Sequence, residues 1–166
     1  MTITLHKWTS SEKEALMALC NAVDRTFLSD RLPNPYTEAD ADWWLGMVSE
    51  NEGKEGVWRS IWADGELVGS ISVERKDEGG KTIGEIGYMI LTLWWSQGIG
   101  TEAVSQICEI AFRELELQQI IGQVFPENVA SARVLEKNGF LVEGMMAGAI
   151  MKQGKVMDLI AYRLDH

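Results

Sequence analysis

The stretch Trp95-Ser96-Gln97-Gly98-Ile99-Gly100-Thr101-Glu102-Ala103 decides how this chain reads. Two glycines one residue apart stand between an apolar run, Ile86 to Leu93, and a helical pattern that begins near Glu102. Such a turn aims successive backbone N–H groups at one point, at a helix N-terminus whose dipole favours negative charge. Glycine there permits positive φ and lets a ligand come close to the backbone. No Gly-Lys-Ser/Thr ending follows, so this is not a Walker A loop. The spacing Gly98-x-Gly100-x-x-Ala103 fits a dinucleotide fingerprint. However, Thr92 to Gln97 separate it from its strand, and the next run, Ile120 to Phe125, ends in Pro126 rather than an acidic residue. On these residues alone two readings stay open: a seat for a phosphorylated ligand, or a tight strand-to-helix turn that binds nothing.

A second segment separates them. It runs Pro126-Glu127-Asn128-Val129-Ala130-Ser131-Ala132-Arg133-Val134-Leu135-Glu136-Lys137-Asn138-Gly139-Phe140. Asn128 is placed to cap a helix, Gly139 to end it in the left-handed conformation, and Phe140 to start a strand. Together the two segments resemble the Gcn5-related N-acetyltransferase family. Its acyl-CoA loop reads Arg/Gln-x-x-Gly-x-Gly/Ala, and its next motif often reads Asn-x-x-Ser-x-x-x-x-Glu-Lys-x-Gly-Phe. The second half is most similar to the branch that acetylates protein N-terminal amines in bacteria. The resemblance covers Leu67 to Leu164 and is most specific from Glu85 to Phe140.

The resemblance implies acetyl-CoA as the ligand and a splayed sheet in which Glu85 to Leu91 diverges from Gln118 to Phe125. The pantetheine arm would lie in that gap and bond Met89, Ile90 and Leu91 like an added strand. Amides of Ser96, Gln97, Gly98, Ile99, Gly100 and Thr101 would hold the pyrophosphate. Asn128 and Ser131 fall near the pantetheine and thioester, and Arg133 within reach of the nucleotide phosphates. Glu85 matches a glutamate that acts as a base through water in several relatives. Two positions depart from the pattern. Trp95 stands where Arg or Gln is usual, and Leu135 where many relatives carry a tyrosine as general acid. Ser131 or a water is the remaining candidate for the departing thiolate. Each residue also has a purely structural reading: an N-cap for Asn128, a solvent hydroxyl for Ser131, a solvated face for Arg133 and Lys137, an exposed strand carboxylate for Glu85, and core or surface packing for Trp94 and Trp95.

The 166 residues, 46% of them apolar, suit a single globular domain spanning 1–166. The pattern along the chain predicts an α/β (α+β) fold. Its mixed, mostly antiparallel sheet has about seven strands and is flanked by helices. Strands are expected at Thr2 to Trp8, Val57 to Ala63, Glu66 to Arg75, Ile83 to Leu91, Gln118 to Phe125, Phe140 to Met151 and Lys155 to Arg163. Helices are expected from Ser11-x-x-Glu14, from Thr37-x-x-Asp40, after the glycine turn, and from Asn128. Arg25 to Tyr36 reads as loop. The start of the chain lacks a signal-peptide layout, no apolar run reaches membrane-span length, and Cys20 and Cys108 have no metal or redox spacing. These features point to a cytoplasmic protein with two buried thiols, although sequence leaves a catalytic cysteine open. A net charge of −10 argues against nucleic acid and anionic membranes as partners. The same charge either attracts cationic amines or merely serves solubility.

The resemblance implies an amine acceptor. A terminal α-amine has a pKa of ~7.7–8.0 against ~10.4 for lysine, so roughly a tenth of it is already neutral at pH 7. A constellation with Glu85 through water and no tyrosine therefore suits a peptide or protein N-terminus. Polyamines, amino acids and aminated antibiotics are the alternative acceptors. A non-catalytic acyl-CoA-binding module and a nicotinamide-dependent oxidoreductase are the alternative functions. Acceptor selection is expected from Asn34 to Thr37, the Trp43-Trp44 helix and Met145 to Lys152. Asp30, Glu38, Asp40 and Asp42 are either amine ligands or ordinary surface carboxylates. Monomer and homodimer both stay open.

Overall fold

The computed structural model describes residues 1–166. Seven strands form one sheet in the order β1-β2-β3-β4-β5-β7-β6. They are β1 (Ile3–Lys7), β2 (Gly56–Ala63), β3 (Glu66–Arg75), β4 (Ile83–Ile90), β5 (Gln119–Val124), β6 (Leu141–Lys152) and β7 (Lys155–Asp165). The helices are α1 (Lys13–Ala22), α2 (Glu38–Asn51), α3 (Ile99–Leu115) and α4 (Val129–Lys137). Every pairing is antiparallel except β4 with β5. The α3 crossover makes that parallel pair possible. The two-residue hairpins at Asp64-Gly65 and Gln153-Gly154 have positive φ at both central residues, as the twist of paired strands prefers.

The sheet is covered on both faces. Alternation along β4 sends Ile86, Tyr88 and Ile90 toward α3 and α4, into a core with Ile99, Val104, Ile107 and Leu135. Met89 points the other way, with Trp8, Leu16, Leu19, Val48 and Trp58 under α1 and α2. Of the apolar stripe of α3 expected at Val104, Ile107, Cys108, Ala111, Phe112 and Leu115, all are buried except Phe112, which is half-buried.

Two helix starts differ from the sequence expectation. The first helix was expected to open on Ser11 and Glu14. Instead Glu12 reaches back to the Thr9 N–H (3.0 Å), and a 3-10 turn over Ser10–Glu12 leads into α1. Trp8, 8% exposed, anchors the chain just before this turn and fixes where the cap falls. The third helix begins at Ile99, not near Glu102. Gly98 turns the chain at φ 80°, and Ile99 is buried at once, so helical geometry starts three residues early. The glycine turn is thus itself the helix N-terminus. The Thr37 box opens α2 as expected, with Thr37 Oγ1 accepting from Asp40 N–H (3.3 Å).

Candidate active site

The site begins where the parallel ladder stops. β4 and β5 pair over only four positions, from Ile83–Gln119 to Ile86–Gly122. Beyond that point the strands separate. Ile83 C=O accepts from Lys76 N–H (2.6 Å) and Leu91 N–H donates to Val68 C=O (2.8 Å), so the odd-numbered residues of β4 bond β3. Even-numbered residues direct their polar groups toward β5. Past Ile86 these belong to Tyr88 and Ile90, which have no β5 partner. Of the residues expected along the arm, Met89 pairs with Ser70 of β3, Leu91 C=O accepts from Trp94 N–H (2.9 Å), and Ile90 lies on the side of the gap together with Tyr88.

Directly beyond β4 lies the turn. None of the N–H groups from Ser96 to Thr101 donates a hydrogen bond within the chain, and the first helical bond belongs to Glu102 N–H on Gly98 C=O (3.2 Å). Six consecutive donors therefore converge at the N-terminus of a 17-residue helix, where the partial positive charge is concentrated. Ser96, at φ 60°, and Gly98, at φ 80°, give the turn two left-handed bends. Trp95 does not extend over them. Its indole Nε1 donates to Ile90 C=O (2.8 Å), fastening the turn to the end of β4, while Trp94 packs against the main core.

The other wall of the gap is α4. Asn128 Oδ1 accepts from Ser131 N–H (3.2 Å), the expected N-cap. Asn138 Nδ2 donates to Thr101 C=O (3.1 Å) and Val134 C=O (2.9 Å), tying α4 to the first turn of α3. Ser131 is not a free solvent hydroxyl. Its Oγ lies 2.6 Å from the phenol oxygen of Tyr88, which reaches across from β4. Burial raises the pKa of this phenol, and the bond to Ser131 offsets part of the rise, so the phenol of Tyr88 is neutral at physiological pH.

This arrangement is a diverging strand pair, an amide-rich helix start and a serine on a capped helix. The acetyltransferase (GNAT) domain model matches residues 2–141. The chain belongs to the GNAT acetyltransferase family. It is 40% identical over 83 residues to "Probable N-acetyltransferase YjcK" of Bacillus subtilis (strain 168), covering 50% of this chain and 46% of that protein. It is 34% identical over 109 residues to "Putative ribosomal N-acetyltransferase YdaF" of the same organism, covering 66% and 59%. The chain thus spans about half the length of the curated relatives it matches. Among solved structures, the RimL ribosomal L7/L12 alpha-N-protein acetyltransferase in complex with coenzyme A superposes with a TM-score of 0.87. It has 21% identity over 99% of this chain and 94% of that one, a likeness of fold.

In this GNAT chain Glu85 lies on the β4 face opposite to Tyr88, in register with Glu74 of β3. Its Oε2 is ion-paired with Lys76 and its Oε1 has no partner in the chain. Arg133 is exposed and forms no ion pair. The four acidic residues considered as amine ligands are engaged within the chain. Glu38 and Asp42 hold Lys13, Asp40 caps α2, and Asp30 Oδ2 accepts from Gln153 N–H (2.9 Å). Burial pushes the Cys20 and Cys108 thiols up to about 12, so neither supplies a thiolate nucleophile.

Three residues escape a reading of sequence alone. Tyr88 shows its role only once β5 diverges. Glu74 needs the β3–β4 register to appear beside Glu85. Lys152, 8% exposed, donates from Nζ to the carbonyls of Arg25, Thr26 and Leu28 and lies 5.5 Å from the centroid of the Phe125 ring. It latches the β6–β7 hairpin to the α1–α2 loop. Lys152→Met keeps the stem but leaves three carbonyls without their donor. It is expected to lower stability by about 2–4 kcal/mol, measured by urea unfolding.

Proposed function

We propose that this chain transfers an acetyl group from acetyl-CoA to a primary amine, and that the amine is a peptide or protein N-terminal α-amine. The observation that carries the first half is the run of six undonated N–H groups beside the β4–β5 gap. The chemistry of these groups fits an acyl-CoA thioester: amides for the pyrophosphate, and for the amides of the arm the backbone of Tyr88 and Ile90, whose polar groups have no β5 partner although Ile90 C=O already accepts from Trp95. Arg133 would add charge at the nucleotide end.

The attacking amine must be neutral. Glu85 is proposed to take its proton through a water on the open Oε1. The amine nitrogen forms a bond to the thioester carbonyl carbon, the carbon–sulfur bond breaks, and the electron pair leaves on sulfur. Ser131 gives its hydroxyl proton to the thiolate and recovers one from the Tyr88 phenol; the acetylated nitrogen sheds its second proton to solvent water, and water returns one to Tyr88, so the site is restored. Tyr88 thereby fills the role left open by Leu135. An α-amine favours this machinery because little proton removal is needed at neutral pH.

Coenzyme A release, followed with tetrapeptides bearing free or blocked N-termini, tests this reading. Free N-termini should be acetylated and blocked ones not. Glu85→Gln should lower kcat by 10²-fold or more while acetyl-CoA affinity stays within twofold. Binding of acetyl-CoA without turnover of any amine would establish a non-catalytic acyl-CoA-binding module instead.

A further inference from the structure

The face of the sheet opposite Tyr88 carries a cleft of about 410 Å³, between the α1–α2 loop, α2 and the β3–β4 pair. Its floor follows from register. Ser70 stands opposite Met89, Ser72 opposite Gly87, and Glu74 opposite Glu85. Alternation puts all six on this face. At the Ser72–Gly87 rung the floor is bare, since nothing lies within 4 Å of where a Gly87 Cβ would be. That rung adjoins Tyr88, at the start of the β4–β5 gap. The walls are apolar: Leu28, Leu32, Tyr36, Trp43, Trp44 and Met47. Trp43 is 70% exposed although it belongs to the wall, while Trp44 beside it packs edge-on against Trp8 at 5.7 Å. Trp43 thus presents an indole face at the cleft mouth that an apolar side chain of a ligand can cover.

Two carboxylates line this cleft, and Glu74 is the one whose ion-pair partner is itself solvent-exposed. Asp40 is spent on the α2 cap, its Oδ2 accepting from both Thr37 N–H and Thr37 Oγ1 (2.8 Å each). Glu74 Oε1 is held from below by Trp58 Nε1 (3.3 Å), on a side chain only 3% exposed. Glu74 Oε2 faces the guanidinium of Arg31 at 3.6 Å, and the Arg31 side chain is 76% exposed. One oxygen therefore fixes the orientation of the carboxylate, and the other has a loose, solvent-screened partner that an ammonium can displace.

We infer that Glu74 anchors the acceptor ammonium and that the aromatic wall takes a large apolar side chain beside it. This rests on the acetyl-transfer reading above and deepens it. The occupant is a singly charged amine, namely a peptide N-terminus whose first residue is leucine-like or aromatic. A polyamine suits the cleft less well, because its further ammonium groups would be desolvated against tryptophan and leucine and the second carboxylate, Asp40, already serves the α2 cap. Glu74 is thus a specificity-determining residue, and Glu85 remains the proton acceptor on the neighbouring strand.

The test compares Leu-Gly-Gly-Gly, Ser-Gly-Gly-Gly and spermidine as acceptors at saturating acetyl-CoA, with acetyl-CoA affinity measured separately by calorimetry. The leucine peptide should exceed the serine peptide at least tenfold in kcat/KM, with spermidine lower still. Glu74→Gln should raise acceptor KM tenfold or more with little change in kcat or in acetyl-CoA affinity. Trp43→Ala, at a side chain too exposed to matter for folding, should erase the preference for leucine. Equal turnover of the two peptides, preference for spermidine, or an unchanged acceptor KM in Glu74→Gln each overturns the inference while leaving acetyl transfer standing. Failure to acetylate any amine overturns both.

Discussion

Ser131→Ala is expected to lower kcat for acetyl transfer by about 10²-fold or more, and Tyr88→Phe by about tenfold, with acetyl-CoA affinity nearly unchanged in both. The magnitudes follow from general acid catalysis, which typically contributes 10²–10⁴-fold. In the proposed reaction Ser131 stands next to the departing sulfur, so its loss would remove the donor itself. Tyr88→Phe keeps the ring in the core and removes only the phenol that recharges Ser131 across 2.6 Å. The double variant should be no worse than Ser131→Ala alone, because two groups acting in series are not additive. A double variant that multiplies the two losses would show independent roles. Stability gives a second readout. Ser131 N–H remains capped by Asn128 after either change, so α4 should persist.

Acetyl-CoA at a hundred times its dissociation constant is expected to stabilise the chain by ~2.7 kcal/mol, and so to raise Tm by about 5–10 °C. The seat of this effect is the turn from Ser96 to Thr101, and Gly100→Ala isolates it. A Cβ at Gly100 would sit 3.5 Å from Val134 and 3.6 Å from Ile90, ordinary contact distances. Gly100 lies in the first turn of α3, where alanine gains up to about 1 kcal/mol of helix propensity. The free variant should therefore melt no lower than the parent. The added methyl group nevertheless narrows the throat between Ile90 and Val134, where the pantetheine arm would pass from turn to gap. Acetyl-CoA affinity should fall about tenfold, and most of the ligand-induced rise in Tm at a fixed concentration should disappear. Gly98→Ala separates the other role of glycine. Gly98 has φ 80° and nothing near its Cβ position, so alanine there should cost about 1–2 kcal/mol of stability through backbone strain alone. A Gly100→Ala protein that binds acetyl-CoA as the parent does would place the arm elsewhere.

The sequence by itself determined the elements whose cause is local. The Asp64-Gly65 and Lys152-Gln153-Gly154 turns, the Thr37 capping box, the Asn128 cap and the left-handed Gly139 at φ 85° are dictated by residues within a few positions of one another. The period of the apolar residues in α3 likewise sufficed to find its buried face, and the motif from Gly98 to Phe140 sufficed for the family. Tertiary structure decided the rest. Which β4 residues turn their backbone to the gap depends on hydrogen-bond parity with β3, which side-chain periodicity leaves free by one residue. That is why the sequence alone does not reveal that Tyr88 and Ile90 lie on the side of the gap. The start of α3 at Ile99 depended on a pocket ready to bury that side chain, and the Thr9–Glu12 cap on the anchoring of Trp8. The Tyr88–Ser131 bond spans 43 residues, the Glu74–Glu85 pairing is a matter of register, and Lys152 meets carbonyls more than 120 residues away. Long-range contacts like these are set by how the sheet splays and where the helices pack, and no local pattern encodes them.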